Sequence, residues 1–396
     1  MSQRSLSGAG RLRLAAPMVG RDPSEGYRAS TPLELFFDLV FVVAVSLAAD
    51  RLHLALADGR VASSLVSYLL VFFGIWWTWV NFTWFASAYD TDDVVYRIFV
   101  FVTITGALVL AAGVPRAFDE RDFGLAVLGY VVMRIALVTQ WLRVARDDAE
   151  RRRTAHRYAL GVTACQIVWG VAAVALPFEL WLLVFAVLGP AELLVPVWAE
   201  SASPTTWHAE HIAERYGLFM IIVLGESVLA SSIAIQSATS DGVFTGKLLV
   251  VAAGGLLILF SIWWLYFDRP AERLLTTTRA AFVWGYAHLL VFASVAAVGA
   301  GLSLAIERAS HPIALSPAET GAAVAIPVAV FLLTLWALHV RAMDPPIRKF
   351  GAPVTAVLVV AASFTVAPPL IIGLVLTLYV AAKVVARLRA DSEILT

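Results

Sequence analysis

The sequence predicts an all-α fold, a polytopic integral membrane helix bundle of about twelve transmembrane helices arranged as two parallel six-helix repeats. Three observations carry that reading. Apolar runs long enough to cross a bilayer, about 20 residues each, recur along the whole chain. Of the 396 residues 60% are hydrophobic and only 15% are charged, against about 25% in soluble domains. Arginine and lysine collect in alternate loops, as the positive-inside rule requires. The mean hydropathy is +0.82. The alternation of a membrane β-barrel is absent.

Taken in order, residues 1–30 carry five arginines among Ser, Gly and Pro and read as a disordered cytoplasmic tail. The first apolar run contains Asp38 and lacks a small-residue cleavage site, so it is read as a span rather than a signal peptide. The expected spans are 32–56, 62–89, 94–114, 122–145, 156–176 and 179–199 in a first repeat (31–200). Those of a second repeat (201–396) are 206–237, 246–267, 280–306, 319–341, 352–367 and 369–389. Pro32 opens the first span, where a missing N–H is harmless, and Pro177 and Pro368-Pro369 separate neighbouring spans. Basic clusters follow span 4 (Arg143, Arg146, Arg151, Arg152, Arg153, Arg157), span 8 (Arg269, Arg273, Arg279) and span 10 (Arg341, Arg348, Lys349). With Lys383, Arg387 and Arg389 at the end, these place both termini in the cytoplasm of a cell-membrane protein. The loop after span 6 has no Arg or Lys and gives no support.

The repeat rests on four matches in the same order. Glu34-Leu35-Phe36-Phe37 and Glu214-Arg215-Tyr216-Gly217 are offset by 180 residues. Ile75-Trp76-Trp77 and Ile262-Trp263-Trp264 are offset by 187, Arg97 and Arg279 by 182, and Trp141/Arg146 and Trp336/Arg341 by 195. Two halves with an even number of spans share an orientation, and in transporters of that layout the substrate site lies between them. Spans 1 and 7 are then equivalent helices facing one another.

Charges inside spans mark the candidate site, because a carboxylate at bilayer depth costs about 2.5 kcal/mol or more without a partner. Glu34 and Asp38 share a helical face, and Ser46 and Asp50 repeat the spacing. Glu34 also fits a helix-capping role, where the dipole favours it. His208, His211 and Glu214 lie near one face of span 7, a spacing compatible with proton handling or with metal ligation. Arg215 is expected to pair with Glu34 or Asp38 across the span 1/span 7 interface. Glu226 lies deeper in span 7 on nearly the same azimuth as Arg215. Glu34, Asp38, His208, His211, Glu214, Arg215 and Glu226 therefore form the predicted ion, proton or substrate site. Arg134 needs a counter-charge, for which Glu192 is available, and Gly189-Pro190 is a point where span 6 could break. Trp76, Trp77, Trp79, Trp84, Trp263 and Trp264 read as interface anchors. Cys165, the only cysteine, reads as a packing residue.

No phosphate-binding glycine loop, zinc-protease motif or nucleophile elbow is present, so no catalytic residue, metal or cofactor is assigned. The expected partners are the lipid bilayer and a proton, cation or small molecule; nucleic acid is not expected, and oligomers are compatible with the sequence.

The stretches Glu34-Leu35-Phe36-Phe37-Asp38-Leu39-Val40-Phe41-Val42 and Glu214-Arg215-Tyr216-Gly217-Leu218-Phe219-Met220-Ile221-Ile222-Val223-Leu224-Gly225-Glu226-Ser227 resemble the two signature stretches of the bacterial low temperature requirement A (LtrA) family. The resemblance runs from about Thr31 to the last span. It implies a multi-pass membrane protein tied to growth in the cold and supplies no catalytic role for any residue. The first functional expectation is a secondary transporter or ion pathway using Asp38 and Glu226. The alternatives are an intramembrane enzyme or lipid-related protein using His208, His211 and Glu214, and a scaffold or sensor.

Overall fold

A computed structural model describes residues 13–22, 28–240, 245–340 and 350–394. Among the described residues the regular structure is helical throughout, as the apolar runs require: in lipid each backbone N–H and C=O must be satisfied within its own segment. The first six helices are α1 (Pro32–Ala57), α2 (Val61–Tyr89), α3 (Val94–Asp119), α4 (Gly124–Asp147), α5 (Arg152–Ala175) and α6 (Trp181–Glu200). There follow α7 (Ala209–Ser240), α8 (Gly246–Phe267), α9 (Thr278–Ser310), α10 (Pro317–Leu335), α11 (Gly351–Ala362) and α12 (Pro368–Ile394).

Among the described residues eleven helices are long and apolar enough to cross a membrane. The exception is α11. Its 12 residues cover about 18 Å, short of the roughly 30 Å hydrocarbon core. The expected span at 352–367 is therefore a half-length helix among the described residues, and Arg341, Arg348 and Lys349 lie outside them. Span 6 does not break at Gly189-Pro190, because α6 runs unbroken through both Pro190 and Pro196.

Local chemistry sets several boundaries. Thr31 caps α1: its hydroxyl accepts from the Glu34 N–H, while the Glu34 carboxylate accepts from the Thr31 N–H at 2.8 Å. Ser316 and Glu319 repeat the box at α10. Gly59, at φ 77°, takes the left-handed conformation that ends α1 and turns the chain into α2.

Helices α1 and α9 form the centre. α1 packs on α2, α3, α7 and α9, and α9 packs on α1, α2, α7, α8 and α10. The interior face of α9 is rich in Ala, Gly and Ser, which lets neighbouring backbones approach closely. Helix α8 sits further out and packs mainly on α12. This difference overturns the reading of the tryptophans as a class. Trp76, Trp77 and Trp79 on α2 are fully buried, because α2 lies against α7 and α9, and Trp84 is half-buried there. Trp263 and Trp264 on α8 are exposed, as anchors are.

The tail reading also changes where the tail is described. Met18 is buried in the core. The Ala16 N–H donates to Asp93 at 2.9 Å and the Arg21 N–H to the Ala88 carbonyl at 3.0 Å. At the ends of α2 and α4 the Ala88 carbonyl and the Asp147 carboxylate accept from tail N–H groups, and at the start of α3 the Val94 and Val95 N–H groups donate to the carbonyls of Arg13 and Leu14, which composition alone does not reveal. Residues 1–12 and 23–27 lie outside the described residues.

The tightest crossing joins α3 and α4. A Cβ added at Gly129 meets the Leu110 nitrogen at 2.3 Å and the Gly106 oxygen at 2.5 Å. Glycine to alanine inside a helix ordinarily gains up to about 1 kcal/mol, whereas overpacking costs about 1–3 kcal/mol. Gly129→Ala should therefore lower the melting temperature in detergent. Gly170→Ala, with nothing within 4 Å of the new methyl, should leave it unchanged or raise it.

Candidate functional site

Helices α1 and α7 meet face to face, and their first turns bury a charged network. Arg215, fully buried, reaches two carboxylates on α1. Its Nε and NH2 donate to Asp38 at 3.0 and 2.6 Å, and its NH1 lies 3.2 Å from Glu34 Oε1. The forked guanidinium matches the carboxylate geometry that a lysine cannot. Trp79 of α2 donates its indole N–H to Asp38 at 2.7 Å. His211 places Nε2 3.2 Å from Glu34 Oε1. Arg28, from the tail, lies 3.3 Å from Glu34 and 3.0 Å from Asp90, and also donates to the carbonyls of Ala86 and Ser87. Glu34 Oε2 caps α1 while Oε1 faces Arg28 and Arg215, and His211 Nε2 lies within reach of both oxygens.

The seven predicted residues therefore separate into groups. Glu34, Asp38, His211 and Arg215 share one network, as the pairing of Arg215 with span 1 anticipates. Glu214 stands at its edge and accepts from the Ser30 N–H at 3.4 Å. His208 lies just before α7, where its Nδ1 accepts from the His211 N–H at 3.5 Å. His208, His211 and Glu214 thus engage different partners, and no group of three His, Cys, Asp or Glu among the described residues could hold a metal ion. Glu226 is eleven positions beyond Arg215, about 16 Å along α7, and stands apart from the network.

Glu226 lines a cavity of about 550 Å³ enclosed by α1, α7 and α9 and extending to their far ends. Ser46, Asp50 and His53 enter it from α1, and Ser303 and Glu307 from α9. His53 Nε2 pairs with Glu307 Oε2 at 2.7 Å. Between cavity and network lie Phe41, Val45, Phe219, Val223, Phe292 and Val295, all buried. Phe219 and Phe292 pack edge to face at 5.0 Å, and both rings lean on Trp79. A plug of buried apolar side chains thus separates the charged network from the cavity.

A second buried pair serves the first six helices. Arg134 on α4 donates to Glu192 on α6 at 2.9 Å and to the Tyr130 hydroxyl. Glu192 also accepts the indole N–H of Trp77 at 2.5 Å and of Trp169 at 3.1 Å. Cys165 is buried and free.

Sequence reasoning overlooked Arg28, Trp79 and Asp90 in the network, and His53 and Glu307 in the cavity. His53 lies three residues after Asp50 on the same face of α1, a signal the helical spacing contained. The other four join through tertiary contacts between distant segments.

Crossing helices with paired charges in their interior and exposed apolar flanks define a multi-pass helical membrane protein. The bacterial low temperature requirement A protein (LtrA) family model matches residues 29–385. The chain belongs to that family. It is also 29% identical over 367 residues to an uncharacterized protein of Rhizobium meliloti (strain 1021), covering 88% of this chain and 85% of the relative.

Two outcomes follow from the network. Removing one partner of a buried pair costs about 3–5 kcal/mol by stranding the other. Arg215→Ala should therefore cut thermal stability sharply, Arg215→Lys less, and Arg215→Met with Asp38→Leu should recover part of the loss. Asp90 lies outside the spans, and burial together with the charge of Glu34 pushes its carboxyl up to about 6, against the pull of Arg28. Its folded value exceeds the ordinary 3.8, so its contribution to stability is full below about 3.8 and is lost as pH rises through about 6. Melting measured at pH 4.5 and 7.5 should show a larger drop with rising pH in wild type than in Asp90→Asn. Equal drops would remove Asp90 as the cause.

Proposed function

We propose that the protein is a secondary transporter or ion pathway whose substrate or coupling ion engages Glu226. The observation carrying this reading is the cavity beside Glu226, open at one end of α1, α7 and α9 and closed at the other by the plug and the Arg215 network. A carboxylate midway along a membrane helix, with no ion-pair partner among the described residues, calls for a proton or cation. One access route is open and the other shut, as alternating access requires of a single state. Opening the shut side means parting Arg215 from Asp38 and Glu34, so the network acts as the gate on that side.

We place the gated side at the cytoplasm, with both termini there. Lys383 and Arg387 of α12 reach Asp268 at 2.9 and 3.5 Å, just past Phe267, which lies against Gly217 near the start of α7. The duplication of a six-helix unit remains part of the proposal. Its support is that α1 packs on α3 as α7 packs on α9, and α3 on α4 as α9 packs on α10. The halves have diverged where α2 moved inward and α8 stayed out.

Liposomes loaded with a pH-sensitive dye test the reading under imposed proton and potential gradients with pools of candidate substrates. Wild type should carry flux and Glu226→Gln should lose tenfold or more of it. Wild-type rates in the variant would sink the role of Glu226. Absence of flux from folded protein under every gradient would sink transport.

A further inference from the structure

We infer that the α1–α7–α9 cavity is a binding site for an organic monocation, a molecule with an ammonium group and an apolar body. The inference deepens the transport reading and rests on it for the cavity's role as substrate site. Size is the first argument. About 550 Å³ falls in the range of small-molecule sites, roughly 300–1,000 Å³, and far exceeds what one or two waters fill.

Charge is the second. The described lining carries three carboxylates, Asp50, Glu226 and Glu307, and neither lysine nor arginine. Glu307 is engaged by His53. Glu226 has no ion-pair partner among the described residues, and it stands deepest of the three, next to the plug. The lining also holds His53 and His311, but an anionic ligand would add repulsion beside Glu226, which has no ion-pair partner among the described residues.

The walls decide between an inorganic and an organic cation. A hard metal cation takes about six to eight oxygen ligands. Beside Glu226 the lining is mostly Ala, Leu and Ile, and the few oxygens there, such as the Ser227 hydroxyl, fall short of such a shell. One carboxylate amid aliphatic walls suits an ammonium that needs one ion pair while its hydrocarbon covers the rest. Ser303 supplies an independent sign of a ligand. It is 95% buried (5% exposed), lines the cavity, and makes no hydrogen bond to any described residue. Its oxygen reaches the space of the cavity rather than being packed away among side chains. Its free hydroxyl is placed to accept from, or donate to, a polar group of the occupant.

The test uses full-length protein purified in detergent and three probes of one shape: 2-phenylethylammonium, 2-phenylethanol and phenylacetate. Equilibrium dialysis with radiolabelled probe should show saturable binding of the ammonium, with the alcohol and the carboxylate at least tenfold weaker. Glu226→Gln should weaken the ammonium tenfold or more without changing the alcohol. Ala230→Phe, which fills the cavity and keeps every charge, should abolish binding of the ammonium and guards against a Glu226→Gln protein that fails to fold. No saturable ammonium binding to monodisperse wild type would overturn the inference. So would equal affinity for the alcohol, or unchanged ammonium affinity in either variant. Binding as expected without flux of the ammonium in liposomes would leave the site standing and remove transport. Proton or other flux through Glu226 without ammonium binding would do the reverse.

Discussion

The structure depends on where a single guanidinium finds its counter-charge. Arg215 is fully buried on a membrane helix, and a charge there is tolerated only when paired and hydrogen-bonded. Asp38 and Glu34 supply the pairing from α1, and Trp79 supplies the remaining hydrogen bond to Asp38. These contacts fix the rotation of α1 against α7 and draw α2 inward to bring its indole to the carboxylate. The inward position of α2 then buries Trp76 and Trp77, and Trp77 in turn helps to hold Glu192 for Arg134. One buried ion pair thus propagates to a second through a single helix.

Helix α7 carries three environments along its length. Its first turns face the charged network, its middle contributes Phe219 and Val223 to the plug, and its far half opens onto the cavity at Glu226. Such a division follows from dielectric. Glu226 is half-buried against the cavity, while Arg215 is fully buried beyond the aromatic plug, where the low dielectric keeps its ion pairs strong. The close crossing of α7 and α9 supports the plug. A Cβ at Gly299 would meet the Ser227 oxygen at 2.8 Å, so the two backbones nearly touch just where the cavity begins.

The end of the bundle bearing the network is also tied by the tail. Arg28 links Glu34 to Asp90, joining α1 to the end of α2, and Asp93 joins the tail to α3 and α4 through Ala16 and Arg143. Burial pushes the Asp93 carboxyl up, but the N–H donors of Ala16 and Tyr96 and the Arg143 guanidinium outweigh it and hold the group below its ordinary value. Disorder read from composition fails here because Arg and Gly content measures the absence of apolar cargo. It does not count the unpaired backbone groups at helix ends, which a passing segment can satisfy.

Hydropathy alone determined that the chain is a helical membrane bundle, since the bilayer leaves no other way to satisfy the backbone of such long apolar runs. Helical spacing and the cost of a buried charge were enough to match Arg215 with span 1 and Arg134 with Glu192, because each charge had few candidate partners. Tertiary structure decided the rest. The separation of Glu226 from Asp38 depends on how far each lies along its helix and on what packs between them, and a helical wheel records neither. Whether a tryptophan faces lipid or core depends on which helix stands in front of it, so Trp77 and Trp264 share a sequence pattern and opposite surroundings. The half-length α11 and the cavity among α1, α7 and α9 are likewise properties of packing, set by contacts between segments far apart in the chain.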